Sequence, residues 1–178
     1  MTHNLSLTDL AQTIRLVVLD VDGVLTDGGL YYDESGCTHK RFNVQDGLGI
    51  KLAATTGLEF AVITGLDSPS VRRRITELGI KHYYPGQHRK APFLTTIANN
   101  TAIPLAQIAY VGDDWVDAAP MALVGLPIAV ANARPEIKHL ARWVTTTAGG
   151  QGAVREVIDF LLHAQGKFED LWQNWLQP

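Results

Sequence analysis

Short apolar runs alternate along the chain with stretches whose apolar residues recur at helical spacing. The runs Leu16–Leu19, Leu58–Ile63, Ile108–Val111, Pro127–Val130 and Trp143–Thr145 have strand length, and "HYY" at His82–Tyr84 is strand-like as well. Between them, helical patterns lie near Leu48–Thr55, Ser70–Leu78, Pro92–Asn99, Asp117–Leu123 and Pro135–Ala141, with a last one over roughly Ala153–Gln165. Strand–helix alternation predicts an α/β fold, a Rossmann-like parallel sheet sandwiched by helices. One segment breaks the alternation. "GGLYYDESGCTHKRFNV", spanning about residues 29–43, reads as two short strands around the turn Asp33-Glu34-Ser35-Gly36, a β-hairpin flap directly after the first strand. The tail, about residues 166–178, carries Trp172 and Trp175 at a helical spacing of three, a face that needs something to pack on.

Composition adds bounds to this picture. A chain of 178 residues suits one domain and can bury a sizeable core. Its net charge of −3, with no basic block, gives no reason to expect nucleic acid. No apolar run reaches the length that spans a bilayer. The stretch "MTHNLSLTDLAQTIRLVV" lacks the basic region, apolar core and small-residue cleavage site of a leader. Cys37, alone, cannot form an internal disulfide, so the expected home is the reducing cytoplasm.

The chemistry gathers where strands end. "RLVVLDVDGVLTDGG" runs four apolar residues into Asp20, with Asp22 and Asp27 close behind. "FAVITG" ends in Thr64 and Gly65, and "IAYVGDDWVD" ends in Gly112, Asp113, Asp114 and then Asp117. Parallel sheets bind ligands beyond the carboxyl ends of their strands, so these groups are expected at one edge. Bunched carboxylates repel unless a cation balances them. Oxygen ligands without a Cys/His cluster favour a hard cation such as Mg²⁺, which takes one or two carboxylates and accepts phosphate as a further ligand. Lys90, in "GQHRKAP", supplies positive charge to the same edge. Taken singly, each residue has an ordinary reading: a turn-forming or capping Asp, a structural Thr hydroxyl, a solvated Lys, an acidic helix start. The order of the four segments is what carries the functional reading.

"DVDGVLTDG", "VITG", Lys90 and "GDDWVD" resemble the four motifs of the haloacid dehalogenase superfamily of phosphotransferases. "FNVQDGLGIKLA", "LGIKHYYPGQHRK", "YVGDDWVDAAPMALVGLPIAVANARPEIK" and "GGQGAVREVIDFLLHAQGK" resemble the 3-deoxy-D-manno-octulosonate 8-phosphate phosphatase family, essentially end to end. The resemblance implies a Mg²⁺-dependent phosphatase of a sugar-acid phosphate, in the setting of lipopolysaccharide biosynthesis. It implies Asp20 as nucleophile and Asp22 as general acid/base, with an aspartyl-phosphate splitting the displacement in two. Metal ligands would be the Asp20 carboxylate, the Asp22 backbone carbonyl and Asp113. Thr64, Gly65 and Lys90 would bind the phosphate, with Lys90 also facing the nucleophile. Asp114 would orient Lys90 or a metal-bound water, and Asp117 would brace the loop.

The resemblance also implies how a site without a cap domain is closed. Motif one is followed only by the hairpin, and in the resembled family the hairpins of four protomers meet. Leu30, Tyr31 and Tyr32 fit a hairpin that packs on copies of itself in a homotetramer. The glycine-rich "AGGQG" would fold over the site as a mobile segment. Three positions depart from the family pattern, each losing an arginine: Gln45, Leu66 and Gln151. Arginine suits a carboxylate or phosphate because its fork binds both oxygens. Arg72, Arg73 and Arg74 on the next helix either compensate or form a solvated face. Two alternatives stand beside the main reading: a phosphatase of a nine-carbon, sialic-type ulosonic acid 9-phosphate, and a non-catalytic oligomeric module partnering a sugar-activating enzyme.

Overall fold

A computed structural model describes residues 5–36 and 38–177; Cys37 and the ends of the chain lie outside the described residues. Helix α1 (Leu7–Thr13) leads into strand β1 (Leu16–Leu19). A tight turn at Val21–Leu25 follows, then the hairpin strands β2 (Tyr31–Tyr32) and β3 (Thr38–His39), then α2 (Val44–Thr55). Alternation then sets in: β4 (Glu59–Ile63), α3 (Pro69–Leu78), β5 (His82–Tyr84), α4 (Ala91–Thr101), β6 (Ile108–Gly112), α5 (Ala118–Met121), β7 (Leu126–Ala129), α6 (Pro135–Leu140) and β8 (Trp143–Val144). Helices α7 (Ala153–Ala164) and α8 (Phe168–Leu176) close the chain.

The sheet runs β5-β4-β1-β6-β7-β8, and every pair is parallel. All four residues of β1 are buried, which is why the central strand is written as an unbroken apolar run rather than an alternating one. Helices α1, α2 and α8 pack with α7, while α4, α5 and α6 form a second group, so both faces of the sheet are covered. Proline opens α3, α4 and α6, where its missing N–H costs nothing. The hairpin is antiparallel, pairing Tyr31 with His39 and Tyr32 with Thr38, and Thr26 bridges Phe42 at its base.

The sequence reading misses α1 altogether. Its sign is a reciprocal cap: Asp9 N donates to Ser6 Oγ at 3.1 Å and Ser6 N to Asp9 Oδ2 at 3.0 Å. The helix expected over Asp117–Leu123 is also shorter, because Trp115–Asp117 forms a separate tight turn ahead of α5.

The order of strands places the site. From β1 the sheet grows to one side through β4 and β5, then to the other through β6, β7 and β8. Ligands of open α/β sheets bind at such a reversal, beyond the carboxyl ends. Asp20 follows β1 there, with Thr64 following β4 and Asp113 following β6 on the two flanking strands. Among the described residues no cap domain intervenes: a tight turn and the hairpin lie between β1 and α2, and α3 lies between β4 and β5.

Candidate active site

Asp20 ends the central strand 4% exposed. Its Oδ1 accepts from Val21 N at 2.7 Å and lies 2.7 Å from Lys90 Nζ. Lys90 is 1% exposed, so the solvated reading of this lysine does not apply. Its ammonium also donates to Asp117 Oδ1 at 2.7 Å. Burial opposes its charge, but Asp20 and Asp117 together outweigh burial and raise its pKa, so it stands as a cation between two carboxylates.

Asp117 is spent on structure. Tyr110 Oη donates to its Oδ1 at 2.8 Å, and the backbone N–H groups of Asp113 and Asp114 reach its Oδ2 at 3.0 and 3.4 Å. It therefore ties together the loop after β6 and also bonds Lys90. Asp114 does not take that second role. Its Oδ1 caps the tight turn through Trp115 N at 2.7 Å.

A cavity of about 290 Å³ opens over these groups, lined by Asp20, Asp22, Gly65, Lys90, Asp113 and Asp114 among others. Among the described residues, four buried side-chain atoms lack a partner, and two of them belong here: Thr64 Oγ1 and Asp113 Oδ1. An unpaired buried oxygen costs free energy; Asp113 lines the cavity, where a cation would satisfy its Oδ1, and Thr64 directly precedes the lining residue Gly65. One oxygen each from Asp20, Asp113 and Asp117 lies within 4.8 Å of the others. Because Asp117 is already saturated, the oxygens left for a cation are those of Asp20 and Asp113. Burial first, then Asp117 and Asp114, push the Asp113 carboxyl up to about 7. Burial and then Asp117 push Asp20 up too, against the pull of Lys90. Such a cluster stays ionised only with added positive charge, which a hard divalent cation supplies. Gly23, at φ +83°, lets the loop reach this point; a Cβ there would sit 2.1 Å from Asp113 Oδ2.

Asp22 faces the cavity with its side chain 30% exposed, and Lys40 of the hairpin bonds its Oδ1. Sequence reasoning missed Lys40. Its only local sign is a pair of cations, Lys40 and Arg41, directly after the hairpin. It also missed Asn132, whose Nδ2 donates to Gly23 O at 3.0 Å and whose Oδ1 accepts from Gly149 N at 2.6 Å. That contact corrects the reading of "AGGQG" as a mobile cover. Gly149 and Gly150 are buried, Gly150 N donates to Val24 O at 3.0 Å, and a Cβ on Gly149 would lie 1.7 Å from Gly23 O. The glycines are there so that this loop can clamp the turn after β1.

Of the arginine-loss positions, Leu66 is exposed beside Gly65, and Gln45 and Gln151 are exposed as well. None of Arg72, Arg73 and Arg74 lines the cavity. Arg72 grips both oxygens of Asp67 at 2.7 Å, Arg73 reaches Glu77 at 3.0 Å, and Arg74 donates to Asn43 O at 3.3 Å.

Comparisons with known proteins bear on this geometry. A family described as haloacid dehalogenase-like hydrolase matches residues 79–158. The 3-deoxy-D-manno-octulosonate 8-phosphate phosphatase KdsC of Escherichia coli K12 is 48% identical over 160 residues, 90% of this chain and 85% of that protein. The crystal structure of the Moraxella catarrhalis 3-deoxy-D-manno-octulosonate 8-phosphate phosphatase, in complex with magnesium ion, phosphate ion and KDO, superposes with a TM-score of 0.92 at 38% identity, covering 94% of this chain and 97% of that one. The cobalt-bound phosphatase from Haemophilus influenzae gives a TM-score of 0.90 at 42% identity, over 94% of this chain and 99% of that one.

Proposed function

The chain belongs to the 3-deoxy-D-manno-octulosonate 8-phosphate phosphatase family of haloacid dehalogenase-like hydrolases, and from that membership we propose its function and the role of each site residue. It is a phosphoric monoester hydrolase that converts 3-deoxy-D-manno-octulosonate 8-phosphate to the free sugar acid and phosphate, with Mg²⁺ as cofactor. Neither the nine-carbon 9-phosphate nor the non-catalytic module finds support beside it. One observation carries the reading at the level of atoms: Thr64 Oγ1 and Asp113 Oδ1 are buried without partners directly after the two strands that flank β1.

In this reading Asp20 attacks phosphorus, the bond to the sugar C8 oxygen breaks, and an aspartyl-phosphate forms. Asp22 gives its proton to the departing alkoxide, then takes one from the water that attacks the aspartyl-phosphate, as the bond from phosphorus to the Asp20 oxygen breaks and releases phosphate and the free carboxylate. The Thr64 hydroxyl donates to a phosphate oxygen, which satisfies it. Gly65 leaves room for the phosphoryl group. Lys90 offsets the negative charge of both Asp20 and the incoming phosphate. Asp20, Asp113 and the Asp22 backbone carbonyl would hold the Mg²⁺. Bound there, the ion supplies the positive charge that lets a carboxylate approach a phosphate dianion. Asp114 and Asp117 support the loop that carries Asp113.

The rest of the chain fits one hydrolase domain that assembles as a homotetramer in the cytoplasm. The support is the exposed apolar hairpin, with Leu30 48%, Tyr31 51% and Tyr32 67% exposed, and a composition with one cysteine. The experiment is phosphate release from a panel of phosphorylated ulosonic acids, with and without chelator. The eight-carbon 8-phosphate should turn over fastest, chelation should stop turnover, and Mg²⁺ should restore it. Full activity after exhaustive chelation, or no release from any sugar-acid phosphate, overturns the reading.

A further inference from the structure

We infer that Lys40 is a positioning residue for the acid/base carboxylate Asp22, so that the chain's own hairpin, and not only the strand ends, builds its catalytic centre. The inference rests on the proposed role of Asp22. Lys40 sits just after β3, and its side chain is 1% exposed although it belongs to a surface hairpin. A buried ammonium needs a partner, and the partner is Asp22 Oδ1. Among the described residues Lys40 is the one side chain that hydrogen-bonds the Asp22 carboxylate.

The base of the hairpin is fixed around this lysine. Arg41 Nη1 donates to Gly150 O at 3.2 Å and lies 3.7 Å from Asp27 Oδ2. Phe42 bridges Thr26 and lies under the Arg74 guanidinium at 6.0 Å. Lys40 therefore hangs from an anchored backbone, while Asp22 sits in a turn whose dihedrals are not helical, at φ −76° and ψ 118°. No helix or strand fixes the Asp22 side chain, and the lysine does. A carboxylate that must face a sugar oxygen in one half-reaction and a water in the next gains from a fixed orientation, since a misplacement of about 1 Å can cost on the order of 100-fold in rate.

The test is a double-mutant cycle on the full-length enzyme with Mg²⁺ and 3-deoxy-D-manno-octulosonate 8-phosphate. Phosphate release is followed for hours at high enzyme concentration, so that the residual rate of Asp22→Asn is measured. Lys40→Met should lower kcat by about 10- to 100-fold and move KM by less than about threefold. In the Asp22→Asn background the same substitution should change the rate by less than about twofold, because nothing remains to position. Lys40→Gln should behave as Lys40→Met does, and far-UV circular dichroism checks that both fold. An equal loss in both backgrounds, a loss confined to KM, or no loss overturns the role of Lys40 while leaving that of Asp22. Full activity of Asp22→Asn overturns both.

Discussion

Asp117 Oδ1 lies 2.7 Å from Lys90 Nζ, and neither side chain reaches solvent. The pair sits beneath the site, and Asp117 also collects Tyr110 Oη and two backbone N–H groups. Removing its charge leaves a buried ammonium with only Asp20 and strips the loop that carries Asp113. Breaking a buried pair from one side typically costs about 3–5 kcal/mol. Asp117→Ala should lose stability on that scale in urea unfolding and lose turnover as well. A variant as stable and as active as the parent would show that Asp117 is not the keystone of this loop.

Asp20→Asn separates chemistry from fold. The amide is nearly isosteric and can still accept from Val21 N, but it is a poor nucleophile toward phosphorus. Turnover should fall to the detection limit while circular dichroism and urea midpoint stay near the parent's. Substantial phosphate release from pure Asp20→Asn protein would reject a covalent aspartyl-phosphate.

Asp46 gives a pH prediction outside the site. It is 1% exposed, its Oδ1 accepts from Arg155 N at 2.7 Å across to α7, and its Oδ2 is buried without a partner. Burial pushes its carboxyl up to about 6, against the pull of the Arg155 N–H and of the Arg74 and Arg155 charges. The unfolded chain has this group near 3.8, so between roughly pH 4 and pH 6 the native state binds the extra proton. This group's contribution to stability therefore falls as pH rises through that window. Asp46→Asn keeps the acceptor for Arg155 N and removes the buried charge. It should flatten the dependence between pH 4 and 6 and stabilise at pH 7 by on the order of 2 kcal/mol. An unchanged slope in pH-resolved urea melts would show that Asp46 titrates normally.

What could be read from the sequence follows from where each signal is written. Leu16–Leu19 is legible because a central parallel strand is apolar on both faces, and Asp20 is legible because it ends that run. Helix α1 is only seven residues long, but its signs are in the sequence: Leu7, Leu10 and Ala11, with Ile14 just past its end, form one helical stripe against the core, and its Ser6–Asp9 cap is in plain sight. Asp114 and Asp117 are two acids three apart on one turn. Which of them meets Lys90 depends on the way that turn rolls, and Asp117 rolls inward beneath Gly112, where a Cβ would lie 2.5 Å away. Lys40 and Asp22 stand 18 residues apart, and only the return of the hairpin brings them together. The glycines of "AGGQG" read as flexibility in one dimension and prove to be sites of close backbone contact in three.

The exposed face of the hairpin carries the last prediction. Lys40 ties the hairpin's return strand to its own active site, while Leu30, Tyr31 and Tyr32 remain exposed, Tyr31 donating to Asp27 Oδ2 through its hydroxyl. Three adjacent apolar residues along the first strand of the hairpin call for a covering surface, and the proposed tetramer covers them with copies of themselves. Assembly and catalysis should then be linked. Replacing Leu30 and Tyr31 together by Glu places unpaired charges in that interface, which typically costs several kcal/mol. A closed ring of like contacts fails as a unit, so the protein should dissociate. The Asp20–Lys90–Asp113 cluster is built within one chain and should survive in each protomer. Hydrolysis of p-nitrophenyl phosphate should persist at a reduced level, because that small ester needs only the cluster. Turnover of 3-deoxy-D-manno-octulosonate 8-phosphate should fall much further, because its carboxylate end would lose the neighbour that closes the cavity. Light scattering gives the mass, and the two substrates are assayed in parallel. A double variant that stays tetrameric, or a monomer with full activity on the sugar-acid phosphate, would show that the hairpin is not the cap.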